Sequence, residues 1–258
     1  MSAAMTAAVN GHQLPELGQN GAVGQRQRSP DSGAERRFDA VIFDLGGVMT
    51  EPLFRNRHDV DPAYLNLVAF FLNEFRDHYH LTTGAHDLHL LETGKISDDE
   101  FFDRMCERYA AAGNEPIDAR TAQKVIFGRG MVASSAMADA VRQVRDAGYR
   151  TALLTNISRG GEALWRELIP VEDLFDVVVD SSRVGLRKPD PRIYELTCAR
   201  LDVSPDRCLF IDDLECNVDA AKAVGMDSIQ CLDPVETADL VVGMLLGHPA
   251  AEEVETSA

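Results

Sequence analysis

The segment Val41–Glu51, "VIFDLGGVMTE", decides the fold class and raises the question of function. Its first three residues belong to a short apolar run, which is typical of a strand buried on both faces of a parallel sheet. Asp44 follows directly, and Gly46 and Gly47 then let the chain turn. A carboxylate at the end of a buried strand suggests chemistry, although Asp44 taken alone is explained as well by a turn or a helix cap.

Similar apolar runs recur along the chain, and segments with a helical period alternate with several of them. The runs are "RTALLTN" from Arg150, "FDVVVDS" from Phe175, "RCLFIDD" from Arg207 and "DSIQCL" from Asp227. This alternation predicts an α/β fold, a Rossmann-like doubly wound parallel sheet with right-handed crossovers.

One interval breaks the alternation and predicts the domain organisation. Residues 54–129 contain only helical patterns, so we expect an all-helical cap inserted into a core of residues 38–53 and 130–235. An insert directly after the first strand would cover the carboxyl edge of the sheet, where open α/β sheets bind ligands. Residues 1–37 are predicted to be a flexible leader, and residues 236–258 a C-terminal helix and acidic tail.

Composition argues against several classes of partner. No window approaches the roughly 18 consecutive apolar residues of a membrane span, so no membrane insertion is expected. The net charge of −17 argues against nucleic acid. Five cysteines without a C-x-x-C pair are typical of a cytoplasmic protein with reduced thiols. A small phosphorylated substrate remains open, because a divalent cation can reverse the local field. A homodimer also remains open.

Three further strand ends or loops carry polar residues. Thr155–Asn156 follow "ALL", Lys188 lies in "GLRKPDPRIY", and Asp212–Asp213 end "CLFI". Turn residues and a solvated lysine would explain the first two, whereas adjacent acids repel unless a cation lies between them. Parallel strands end at one edge of the sheet, so these residues should meet Asp44 in one pocket. Phosphoryl transfer through an aspartyl-phosphate requires such a set of groups.

With these motifs the chain resembles the haloacid dehalogenase-like hydrolases, from about Asp39 to Asp233. The motifs are "DLGGV", "LLTN", the lysine of "VGLRKPDPRIY" and "FIDDLECN". The stretch from "GLRKPDPRIY" to "AKAVGM", and "LETGKISDDEFF" in the cap, look like the amino-terminal phosphatase domain of soluble epoxide hydrolase. They also look like the related domain fused to acyl-CoA dehydrogenases.

The resemblance implies Mg²⁺ as the cofactor and a role for each residue of the pocket. Asp44 would be the nucleophile and a metal ligand. The other expected metal ligands are the Gly46 carbonyl, Asp213, and Asp212 acting largely through a water molecule. Substrate binding is expected at Gly47, Thr155, Asn156 and Lys188, with Thr155 and Lys188 also catalytic and Asn217 helping to position the site.

Gly46 departs from the pattern, because phosphatases of this family usually carry a second aspartate two residues after the nucleophile. Such general acid–base catalysis contributes about 10²–10⁴-fold. The substrate could need no acid, as with an acyl phosphate, whose carboxylate leaves unprotonated, or in part a sugar 1-phosphate. Glu51 or a cap residue could instead supply the acid, or the protein could be a catalytically weak phosphate-binding or regulatory protein.

A 2-haloacid dehalogenase also lacks the second aspartate, but it uses no metal and does not need the paired acids at Asp212–Asp213. We therefore expect a Mg²⁺-dependent phosphatase acting on a small phosphorylated metabolite with a good leaving group.

Two side-chain sets in the cap have alternative interpretations. Aromatic residues recur near helical spacing and form either the core of the cap or a lipophilic slot for an acyl chain: Phe70, Phe71, Phe75 and Tyr79. Four histidines suggest zinc, but their spacing crosses a predicted turn at Thr83–Gly84 and no cysteine accompanies them: His78, His80, His86 and His89.

Overall fold

The computed structural model of the chain describes residues 36–52, 60–81, 86–128 and 130–247. Most of the predicted leader and the acidic tail lie outside these ranges. Within them, five parallel strands form a sheet in the order β3-β2-β1-β4-β5. The strands are β1 (Ala40–Phe43), β2 (Arg150–Thr155), β3 (Val177–Asp180), β4 (Cys208–Asp212) and β5 (Asp227–Gln230).

The central strand β1 explains the apolar run that begins the sequence motif. Each of its four residues is buried, and Ile42 lies opposite Ala152 on one side and Phe210 on the other. A strand with neighbours at both edges and helices on both faces needs apolar side chains in both directions, which removes the alternation of a half-exposed strand.

The helices lie in two stretches of the chain, one before β2 and one after it. Between β1 and β2 lie α1 (Leu65–His78), α2 (Asp87–Glu92), α3 (Asp98–Ala111), α4 (Ala119–Phe127) and α5 (Ser135–Asp146). After β2 follow α6 (Glu162–Leu168), α7 (Val171–Leu174), α8 (Ser181–Val184), α9 (Pro191–Leu201), α10 (Glu215–Ala223) and α11 (Pro234–Leu246). None of the described helices is long and apolar enough to cross a bilayer.

Two apolar clusters cover the two faces of the sheet. Val141 of α5, Leu174 of α7 and Val241 of α11 pack on one face. Ile193 of α9 and Ala221 of α10 pack on the other. This arrangement confirms the predicted doubly wound α/β fold.

The helices α1 to α4 pack around a separate cluster that includes Phe101, Phe102 and Met105. Serine side chains cap the amino-terminal ends of two helices, α3 and α5. The Ser97 hydroxyl accepts a hydrogen bond from the Glu100 amide at 3.1 Å, and Ser134 accepts one from Met137 at 3.3 Å.

Polar contacts join this helical group to the core. The Arg187 Nε lies 2.7 Å from Glu92 Oε2, and both side chains are less than a tenth exposed. The Asp98 carboxylate accepts hydrogen bonds from the Ser158 hydroxyl at 2.6 Å and the Gly160 amide at 3.1 Å. Because Ser158 and Arg187 lie in loops at the carboxyl edge of the sheet, these contacts bring the helical group to that edge.

Candidate active site

Asp44 lies at the carboxyl end of β1, where the sheet holds its backbone. Its amide donates to the Ile211 carbonyl at 2.9 Å, which continues the β1–β4 pairing. Its Oδ1 lies 2.6 Å from Nζ of Lys188. The expected contact between Asp44 and Lys188 is therefore present although 144 positions separate the two residues in the sequence.

Lys188 is fully buried, so the solvated-lysine alternative is wrong. Besides Asp44, its ammonium group contacts Asp212 Oδ2 at 2.7 Å and the Leu154 carbonyl at 3.0 Å. Three acceptors satisfy its three N–H donors. Burial acts to lower the pKa of Lys188, but Asp212 and Asp44 raise the pKa above its usual value, so the group stays charged.

Three carboxylates crowd around this single ammonium group. Asp44, Asp212 and Asp213 each offer an oxygen within 4.8 Å of the others. Burial raises the pKa of Asp44 well above its usual value, while Lys188 acts to lower that pKa. Burial, together with the Asp212 charge, raises the pKa of Asp213 to about 7. Hard oxygen ligands that repel one another fit a divalent cation such as Mg²⁺.

Asp212 is held by neighbours on both of its oxygens. Oδ1 accepts hydrogen bonds from the Leu214 amide and from Asn217 Nδ2, each at 2.9 Å. Oδ2 is engaged by Lys188. With both oxygens occupied by protein donors, Asp212 suits a contact to the cation through water, and Asn217 acts by holding Asp212.

The two glycines of the first motif differ in what they require. Gly47 has φ +71°, and a Cβ there would lie 2.6 Å from Asp213 Oδ2. Gly46 has φ −71° and ψ 126°, values open to any residue, and a Cβ there would meet nothing within 4 Å. The backbone therefore requires glycine only at position 47, and the acid missing from position 46 leaves open space.

Asn156 uses its side chain to hold the site together. Its Oδ1 accepts from the Lys188 amide at 2.8 Å, and its Nδ2 donates to the Lys188 carbonyl at 2.9 Å. The second hydrogen of Nδ2 goes to the Tyr79 hydroxyl oxygen, also at 2.9 Å. A phosphoryl oxygen would have to compete for these hydrogens, so the Asn156 amide is occupied in orienting Lys188 and Tyr79.

A cavity of about 650 Å³ lies between the sheet edge and the helical group. Predicted site residues lining it are Asp44, Gly46, Gly47, Thr155, Asn156 and Asp213. Lys188 and Asp212 are fully buried; Lys188 contacts the cavity-lining Asp44, and Asp212 contacts Lys188. Most of the remaining wall is apolar, including Phe71, Phe75, Leu88, Leu91, Phe127, Met131 and Leu168.

The predicted aromatic set of the cap divides accordingly. Phe71, Phe75 and Tyr79 line the cavity, and all three also pack with the apolar cluster of the cap. Phe70 packs with that cluster and contacts the Tyr109 ring edge-on at 5.4 Å between centroids. The same residues therefore form both the core of the cap and one wall of the cavity.

Three of the four predicted cap histidines, His78, His86 and His89, approach one another, but their ring nitrogens contact the backbone. The rings of His78 and His86 stack at 3.9 Å. His78 Nδ1 lies 2.9 Å from the Glu74 carbonyl, and His89 Nε2 lies 2.9 Å from the His78 carbonyl. Among the described residues, the three aspartates of the cavity form the one candidate metal group, and the predicted Thr83–Gly84 turn lies outside these residues.

Sequence reasoning missed the roles of Arg187, Glu92 and the Tyr79 hydroxyl. Arg187 directly precedes the predicted Lys188, and Glu92 lies in the quoted cap motif "LETGK". Their pairing across 95 positions left no local signal. Glu51, considered as a substitute acid, is exposed and does not line the cavity.

Comparison with known proteins agrees with this geometry. The family model described as haloacid dehalogenase-like hydrolase matches residues 38–225. Acyl-CoA dehydrogenase family member 10 of Mus musculus is 39% identical over 117 residues, which cover 44% of this chain and 10% of that protein. Bifunctional epoxide hydrolase 2 of Sus scrofa is 29% identical, with 75% of this chain and 36% of that protein covered. The chain thus spans only a small part of these two relatives.

Two further matches cover most of both proteins. Sesquiterpene phosphatase astK of Aspergillus oryzae is 29% identical over 78% of this chain and 93% of its own length. A HAD family enzyme of Bacteroides thetaiotaomicron, crystallised with magnesium and inorganic phosphate, superposes with a TM-score of 0.53. It is 20% identical over 75% of this chain and 93% of its own, so the likeness shows the fold.

Proposed function

The chain belongs to the haloacid dehalogenase-like hydrolases, and on that premise we propose that it is a Mg²⁺-dependent phosphatase working through a phosphorylated Asp44. One observation carries the proposal. The Asp44 carboxylate faces a cavity while Lys188 holds one of its oxygens at 2.6 Å, beside two further acids. A metal-independent dehalogenase would not need this crowding of carboxylates.

The reaction has two displacement steps on phosphorus. An Asp44 oxygen attacks phosphorus, and the leaving group departs with its bonding electrons. Water then attacks the phosphorus of the aspartyl-phosphate, which releases inorganic phosphate and regenerates the Asp44 carboxylate. Lys188 orients the nucleophile and places positive charge beside it throughout.

The metal would be held by Asp44, Asp213 and the Gly46 carbonyl, with Asp212 acting through water. When bound, Mg²⁺ supplies positive charge that keeps these acids ionised and neutralises the phosphoryl oxygens. Support comes from the oxygen set of the three aspartates and from the magnesium in the Bacteroides enzyme.

The substrate that fits best is an acyl phosphate with an apolar chain. Its carboxylate leaves without an acid at position 46. The largely apolar cavity wall suits an acyl chain better than the hydroxyl groups of a sugar 1-phosphate. A relative named for a sesquiterpene substrate, itself an apolar molecule, agrees with this preference.

The five free thiols support the cytoplasm as the compartment.

Phosphate and chloride release test the proposal on octanoyl phosphate, acetyl phosphate, glucose 1-phosphate and 2-chloropropionate, each with Mg²⁺ and with chelator. We expect chelator-sensitive phosphate release, with kcat/KM at least about tenfold higher for octanoyl than for acetyl phosphate, since each buried methylene contributes about 0.8 kcal/mol. Equal values would refute the apolar-chain assignment. Chloride release with chelator present would support the dehalogenase. Mg²⁺-dependent binding of phosphate mimics without turnover would support the alternative of a phosphate-binding or regulatory protein.

A further inference from the structure

The space at Gly46 leaves the leaving group without its usual acid, and we propose that the hydroxyl of Tyr79, contributed by the cap, donates a hydrogen bond to the leaving-group oxygen instead. This inference rests on the proposed phosphatase function. It assigns a catalytic contact to a residue that follows directly after α1 and lies outside the four family motifs.

Neighbours from both the core and the helical group hold Tyr79 in place. Arg187 Nη2 donates to the Tyr79 carbonyl at 3.2 Å, and the Arg187 guanidinium carbon lies 4.7 Å from the centre of the tyrosine ring. The Phe75 ring stacks on the same residue at 4.5 Å. Since Glu92 in turn fixes Arg187, the Tyr79 side chain is positioned before a substrate arrives.

The direction of the Tyr79 hydrogen follows from the neighbouring amide. Asn156 Oδ1 accepts from the Lys188 amide, which identifies the other amide atom as nitrogen and therefore as a donor. That nitrogen lies 2.9 Å from the Tyr79 oxygen, so the tyrosine accepts in this contact. Its own hydrogen is left to point elsewhere. In the described part of the chain, no group accepts that hydrogen, and Tyr79 lines the cavity that contains Asp44.

The other acids from the cap that line this cavity are already engaged. Glu92 is paired with Arg187 at 2.7 Å. Both oxygens of Asp98 accept hydrogen bonds, one from the Ser158 hydroxyl and one from the Gly160 amide. The oxygens of both acids are therefore engaged by donors of the protein, whereas the hydrogen of the Tyr79 hydroxyl is not engaged by any group in the described part of the chain.

The chemistry requires only a donor. Negative charge develops on the leaving oxygen as its bond to phosphorus breaks, and a fixed O–H group stabilises that charge. Burial, and next the charge of Glu92, raise the pKa of Tyr79 well above its usual value, so the hydroxyl keeps its hydrogen across the neutral range. Poorer leaving groups carry more charge and depend more on this bond.

The test compares wild type and Tyr79→Phe on acetyl phosphate, p-nitrophenyl phosphate and phenyl phosphate at saturating Mg²⁺. We expect kcat/KM to fall about ten- to hundredfold for phenyl phosphate, as for the loss of one hydrogen bond to a charged group, and least for acetyl phosphate. Tyr109→Phe is the matched control, because Tyr109 is a buried cap tyrosine outside the cavity lining. In Tyr109→Phe, the ratios of kcat/KM between the three substrates should be those of the wild type.

The ratios between substrates are measured within one protein sample, so a lower folded fraction cannot imitate the effect. An equal fall on all three substrates would overturn the inference while leaving the phosphatase proposal intact. Absence of Mg²⁺-dependent turnover in the wild type would overturn both. Adding Gly46→Asp to Tyr79→Phe should restore phenyl phosphate hydrolysis, and failure to restore it in a protein that still hydrolyses acetyl phosphate would count against the inference.

Discussion

Gly46→Asp tests whether the missing acid limits the reaction. The substitution fits the structure, because Gly46 has φ −71° and a Cβ there would meet no atom within 4 Å. Replacing a glycine in such a conformation stabilises a protein by about 0.4–1 kcal/mol through the unfolded chain. Steric strain should therefore not obscure the effect on activity.

Electrostatics predict the protonation state of the new carboxyl. It would lie two residues from Asp44, in a site that already holds Asp212 and Asp213. Two unit charges about 4 Å apart repel by about 4 kcal/mol at an effective dielectric of about 20. This repulsion favours the protonated form, which is the form that donates a proton to a leaving alcohol.

The expected gain is ~10²-fold in kcat for phenyl phosphate, the lower end of the range for general acid–base catalysis, because Tyr79 is expected to supply part of the stabilisation already. This corresponds to about 2.7 kcal/mol in the barrier. Acetyl phosphate should change little, since its leaving group needs no proton.

Steady-state phosphate release over a series of aryl phosphates measures the effect, with Gly46→Asn as the matched control of similar size and no acid. The reasoning is refuted if a folded Gly46→Asp protein gains nothing on poor leaving groups, or if Gly46→Asn gains equally.

Three further predictions concern the nucleophile, the cation site and the join between cap and core. Asp44→Asn should abolish turnover, because an amide is a poor nucleophile. Intact-mass measurement after an acid quench should detect the phosphorylated protein in the wild type only. A phosphorylated variant would contradict the assignment of Asp44 as the nucleophile. Burial raises the pKa of Asp213 to about 7, so the folded state binds this proton more tightly than the unfolded state does. The stability that this proton contributes is complete below about pH 4 and is lost as the pH rises through about 7. Mg²⁺ then replaces the proton at this carboxyl, so the increase in Tm caused by Mg²⁺ should be larger at about pH 8 than at about pH 5.5. Equal increases at the two pH values would argue against a cation at this carboxyl. Arg187→Met leaves the Glu92 carboxylate buried without its partner, so it should lower the free energy of unfolding, measured by urea titration, by about 3 kcal/mol. Adding Glu92→Gln to the same chain should recover part of this loss. A loss below about 1 kcal/mol would contradict the buried pairing.

The sequence by itself determined the sheet and the edge at which the site forms. Continuous apolar runs are typical of strands buried on both faces, and parallel strands end at one edge. Asp44, Thr155 and Asp212 could therefore be assigned to one pocket before any coordinates were known. The resemblance to the family also identified Gly46 as the position that lacks the second aspartate.

Tertiary structure decided which groups surround that pocket. The pairs Glu92–Arg187 and Tyr79–Asn156 join residues 95 and 77 positions apart, and no local pattern predicts such contacts. Helical periodicity assigned Tyr79 to an apolar face of the helix. Periodicity predicts the face on which a side chain lies, but it does not predict the position of the terminal hydroxyl oxygen. The position of that oxygen depends on how the cap packs against the loops of the core, and packing of this kind is set by contacts distant in sequence.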